Sequence, residues 1–176
     1  DADLAHALAH AGALEAAGRL DEAEQLARGI IKSSSERHPL RHAEALFRLG
    51  HILGMQRRTD VAITALDEAR NAAFGSGYDE LMCRAVAFQA KVSANVRLDA
   101  LTSARELGLA EACIQRTGAR SILLRADLLE ARGLLALAAG DARTAIRWHR
   151  EALALRQDHL GDEHHDTTNS LQNLAN

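Results

Sequence analysis

The side chains best suited to chemistry are nine histidines, two cysteines and the carboxylates near them. His6 with His10, and His38 with His42, stand four residues apart. That spacing puts two imidazoles on one helix face, where they could share a divalent cation. A metal centre needs further ligands, and apart from Asp3 beside the first pair neither has one close in sequence, so no native metal site is expected there. His159, His164 and His165, interleaved with Asp162, Glu163 and Asp166, form a denser polar group. Cys83 and Cys113 lie thirty positions apart without a CxxC spacing and are expected as reduced core thiols, with no base in view to make either a nucleophile. The chain has no nucleophile elbow, P-loop, dinucleotide glycine fingerprint or HExxH. Acidic pairs such as Asp21-Glu22 and Asp162-Glu163 fit solvated helix starts, where they complement the macrodipole. This segment is expected to be non-catalytic, with no cofactor.

The elements that carry these groups are helical. Ala and Leu make up about a third of the 176 residues, Pro39 is the one proline, and aromatics are 3%. The net charge of −3, with acids and bases interspersed, gives no basic footprint for nucleic acid and no polybasic segment for anionic lipid. No apolar run approaches the roughly 20 residues that span a bilayer, and there is no basic start followed by an apolar core and cleavage site; a cytoplasmic location is the default. The sequence begins at Asp1 without Met and stops inside a periodic segment, so it is expected to be a fragment of a longer protein.

Self-similarity organises the whole chain. Alanines near the start of four second helices, Ala23, Ala62, Ala104 and Ala145, are separated by 39, 42 and 41 residues. Twelve residues before each stands Ala11, Gly50, Val92 or Gly133, and Ala175 continues this series. Small residues at such points let two antiparallel helices approach closely. Apolar stripes surround them, such as Leu46, Leu49, Leu53, Leu66 and Ala69, or Leu129, Ala136, Ile146 and Ala152. Gly18 and Gly140, five residues before their alanines, suit the positive φ that ends a first helix, and Asp21, Asp60, Thr102 and Asp141 suit helix starts. The breaks are Ser33-Ser34-Ser35, His38-Pro39, Gly75-Ser76-Gly77 and Thr117-Gly118. One repeat domain over 1–176 is expected, with hairpins at about 2–34, 40–74, 79–116 and 120–158 and a lone helix at about 165–176.

These residues resemble the tetratricopeptide repeat family. The second unit carries Leu46, Leu49-Gly50, Leu53, Ala62, Leu66 and Ala69, and the fourth carries Leu129, Gly133, Ala136, Gly140, Ala145 and Ala152. The third departs, with Val92 at the small position and Gly108 where a large residue is usual. Glu151-Ala152-Leu153, Leu155-Arg156, Leu160-Gly161, His164, Asp166-Thr167, Ser170-Leu171 and Asn173-Leu174-Ala175 resemble the linker and first helix of the kinesin-light-chain-like subgroup, with departures at His165 and Thr168. The resemblance accounts for His164 and Asp166 as linker and helix-start residues. It implies an all-α, right-handed α-solenoid of four hairpins plus one extra C-terminal helix. It also implies a protein interaction region such as those of bacterial signalling proteins, including serine/threonine kinases.

In such a solenoid the first helices line a concave groove. The frame places Glu44, Phe47, His51, Gln89, Ser93, Asp127, Glu130, Leu134, Gln172, Asn173 and Asn176 on it, with Asn173 and Asn176 matching asparagines of the kinesin-light-chain-like groove. This mixture suits a peptide or helix of a partner protein. The Lys and Asn clamp for chaperone C-termini is not expected, because Leu8, Gly12, Arg48 and His51 stand at those places. Phe88 and Trp148 read as packing residues, and Phe47 as either packing or anchor. The alternative function is a sensor arm binding a small molecule or signalling peptide in a transcription regulator. Leu171 and Leu174 lack a covering helix, so the end is expected to fray or to associate with another copy.

Overall fold

The computed structural model describes residues 1–34, 37–95, 100–117 and 121–175. Among them nine helices follow in order: α1 (Ala2–Ala16), α2 (Leu20–Ser34), α3 (Pro39–Met55), α4 (Thr59–Gly75), α5 (Asp79–Asn95), α6 (Ala100–Thr117), α7 (Ile122–Ala138), α8 (Ala142–Leu160) and α9 (His165–Ala175). No strand occurs among the described residues, and no helix there is long and apolar enough to cross a membrane. The chain forms two compact units, residues 1–85 and 86–176.

In the first unit α1, α2, α3 and α4 pack in succession, and α1 also meets α3. Leu46, Leu49, Ile52, Leu53, Leu66 and Ala69 are buried, as the helical period of the apolar stripe requires. Gly50 explains how closely α3 and α4 approach: a Cβ there would stand 2.7 Å from Leu66 Cγ and 3.2 Å from the Leu66 backbone nitrogen. The α1–α2 turn uses Gly18 at φ 73°, whereas the α3–α4 turn puts Arg57 at φ 59° in the same place, five residues before the buried alanine.

In the second unit α6 packs on α7, α7 on α8, and α8 on α9. Gly133 repeats the close approach, its missing Cβ lying 2.6 Å from His149 Cε1. Gly140 takes φ 80° before α8, whose first turn is capped by Asp141 Oδ1 accepting the Thr144 N–H at 3.0 Å. Asp60 and Asp21 lie within first turns instead of at caps, and Asp21 accepts from Gln56 Nε2 at 3.0 Å. In α6 the frame needs correcting by one residue: Ala104 is exposed, while Ser103 and Ala110 are fully buried and Leu107 is half-buried. The buried series is thus Ala23, Ala62, Ser103, Ala145, with separations of 39, 41 and 42. This removes the anomaly at Gly108, since Leu107 takes the large position and Gly108 lies on the exposed side. The cysteines are buried as expected, but neither is a free thiol and both are disulfide-bonded, which corrects the expectation of reduced thiols.

Candidate binding surfaces on the two units

In the first unit a charged surface is assembled on first helices. Glu15 of α1 is nearly buried and accepts from Arg48 Nη1 of α3 at 2.6 Å, while its other carboxylate oxygen meets His51 Nδ1. Gly12 makes room for this: the Arg48 guanidinium lies where a Cβ would stand 2.9 Å from Nη1. Arg84 of α5 stacks over the Phe47 ring at 4.6 Å, and the His51 ring is tilted against Phe47 at 6.1 Å. Arg41 donates to Glu44 at 2.8 Å and to Asp1 at 2.9 Å. The result is a row of arginines with one imidazole over the buried Phe47 ring, each oriented by a partner inside the unit, with Arg48 still about a third exposed.

In the second unit the corresponding helices bury their charges. Glu130 of α7 is 1% exposed and Arg156 of α8 is 2% exposed. Arg156 Nη1 donates to Glu130 Oε2 at 2.6 Å and to Ser170 Oγ of α9, while Nη2 donates to Asp127 Oδ1 at 2.7 Å. Lys91 Nζ of α5 adds a second cation 2.9 Å from Glu130 Oε2. Burial alone would push the Glu130 carboxyl up, but the charges of Lys91 and Arg156 outweigh it and hold the group at about 2. Burial works against the Arg156 charge too, and Glu130, Asp127 and Asp166 overcome it, so the guanidinium stays protonated. His149, lying against Gly133, is pulled below the usual imidazole value mainly by burial, with Glu130 opposing and Arg156 and Lys91 assisting. Its Nε2 is buried without a hydrogen-bond partner.

The groove expectations divide accordingly. Glu44, His51, Ser93 and Leu134 are part-exposed and Gln172 is exposed, as a binding surface needs. Phe47, Gln89, Asp127 and Glu130 are buried, which corrects their assignment to the open face. Phe47 lies under Arg84, and the two carboxylates are drawn inward by Arg156. Asn176 and the Asn173 side chain lie outside the described residues. Phe88 is buried, as a packing residue should be, whereas Trp148 is only part-buried and has both Arg132 and Arg147 over its ring. No group of three or more His, Cys, Asp or Glu that could hold a metal occurs among the described residues. Sequence reasoning placed Arg48 on the groove without its partner Glu15, and it missed Glu15, Arg84, Lys91 and Arg156. For Arg156 a signal existed: Ala145, His149, Ala152 and Arg156 share one helix face, and the first three are core positions.

Helices paired in succession, with close approaches recurring at equivalent places, define an all-α helical-repeat protein of solenoid class. Among solved structures the chain is similar to BtubC (BKLC) from P. vanneervenii, with a TM-score of 0.62 and 20% identity over 93% of this chain and 67% of that one. Likeness at that identity concerns the fold. No family model matches the chain, and no curated protein matches it.

Proposed function

We propose that this chain is a non-catalytic interaction module of the tetratricopeptide class, closest to its kinesin-light-chain-like subgroup. It holds a peptide or helix of a partner protein against the exposed side of its first helices. The setting we favour is a cytoplasmic bacterial signalling protein, with the module serving as its regulatory or interaction region. The observation that carries the reading is the surface of α1, α3 and α5 in the first unit. Arg48, His51 and Arg84 are each pinned by Glu15 or Phe47, so their orientation costs little on binding, and the neighbouring Glu44 supplies an acceptor. Such a surface suits a polypeptide with backbone carbonyls or carboxylates to offer.

A photo-crosslinking side chain introduced at Glu44 tests this, with Asp67 on α4 as the control position. The expected result is a discrete protein adduct from cell lysate at Glu44 and none at Asp67. Adducts at Asp67 alone, or at neither position, would remove the first helices as the binding surface.

A further inference from the structure

The outer face of α8 carries a pattern that neither hairpin packing nor the proposed function uses. Its inner face is occupied by Ala145, His149, Ala152, Leu153 and Arg156, all buried. On the opposite side Arg143, Arg147 and Arg150 recur at helical spacing, all exposed. Arg132 pairs with Glu111 at 2.6 Å and Arg156 with Glu130 and Asp127, yet none of these three forms an ion pair with a carboxylate among the described residues. Asp141 feels the charge of Arg147 without bonding to it. Ile146, 42% exposed, stands among them, and with Glu151 the arginines line an open cleft of about 600 Å³. Arg147 lies 4.6 Å over the Trp148 ring.

Residues 143–151 carry a net charge of +2 in a chain whose total is −3, leaving −5 for the remainder. The stripe is roughly 11 Å long at the helical rise. A long polyanion would be attracted along that length and repelled beyond it, whereas a short acidic segment meets only the attraction. Carboxylates three and four residues apart on an incoming helix repeat at the same pitch as Arg143, Arg147 and Arg150, and guanidinium matches carboxylate bidentately. Ile146 supplies apolar cover for one side chain of that segment. We propose that this face of α8 docks an acidic amphipathic helix of a partner protein, independently of the first-helix surface.

Trp148 is the single tryptophan, so its emission reports on the site in the full chain. The probe is a tryptophan-free helical peptide with glutamates at i, i+4 and i+7 and leucines on the adjoining stripe. Saturable change in emission is expected, weakened by raising salt and weakened at least about tenfold in the Arg143→Glu/Arg150→Glu variant. Both substitutions are at exposed positions and leave Arg147 over the ring, and circular dichroism checks the fold. Three outcomes overturn the proposal: no emission change up to peptide concentrations of about 1 mM, equal affinity in the folded variant, or tighter binding of a single-stranded oligonucleotide of equal charge.

Discussion

The α3–α4 and α7–α8 hairpins use one frame, displaced by 83 residues, with opposite fillings. Gly50 answers to Gly133, Ala62 to Ala145 and Ala69 to Ala152, and all six are buried. At other positions of the same frame, Phe47 becomes Glu130, Leu66 becomes His149 and Ala73 becomes Arg156. The first hairpin closes with hydrocarbon, and its Phe47 ring is covered by Arg84. The second closes with two carboxylates, an arginine and a lysine, bonded together because each would be costly alone. The small positions therefore set how the helices approach, while the chemistry filling the space between them is open to exchange.

Breaking the ionic filling should have the largest effect. Glu130→Ala leaves Arg156 and Lys91 facing an empty place, and a loss of about 3–5 kcal/mol is expected in denaturant unfolding. Transplanting the apolar pair of the first hairpin, Glu130→Phe with Arg156→Ala, should recover much of that loss; a double variant as unstable as Glu130→Ala would mean that the two fillings are not interchangeable. The shared positions come next. Gly50→Ala and Gly133→Ala should each cost about 1–3 kcal/mol by overpacking, Gly50 the more reliably because a backbone nitrogen blocks the new methyl.

Acid should separate the hairpins further. Glu130 is held at about 2 against an ordinary value of 4.5, so its stabilisation is complete above 4.5 and is lost as pH falls toward 2. His149 is depressed below 6.5, so the unfolded chain takes up its proton first, and stability falls as pH drops below that value. Urea midpoints across pH should show both slopes, with His149→Gln removing the upper and Glu130→Gln the lower. The smallest effect concerns Arg57, whose left-handed backbone is adopted by glycine in the equivalent turns at Gly18 and Gly140. Arg57→Gly should raise stability slightly, by up to about 1 kcal/mol and with a correspondingly higher urea midpoint, the relief of strain exceeding the added freedom of the unfolded chain.

The helices and most of the frame were legible because periodic burial and turn glycines are local signals. Ser103 was not, since an alanine adjoins it and one residue of slip in a helix start changes no composition. The groove assignments failed at Asp127 and Glu130 for a different reason. Polar residues on a helix face read as solvated unless their partners are known, and Arg156 lies on another helix, 26 residues beyond Glu130. The same holds for Glu15, whose partners Arg48 and His51 come from α3. Pairings across helices are a property of the packed structure, which one-dimensional spacing does not encode.

The hydrogen bond from Arg156 to Ser170 gives α8 something like a keyed socket. Ser170 is buried beside the guanidinium, and its neighbour Leu171 is 45% exposed. A helix slid by one residue along α8 would bring an isobutyl group against the arginine and turn the hydroxyl outward. Repeat modules are commonly spliced as if any one could follow any other. Here the junction after α8 favours a segment that presents a small hydroxyl at one place, so the ionic filling of one hairpin bears on part of the sequence of the next.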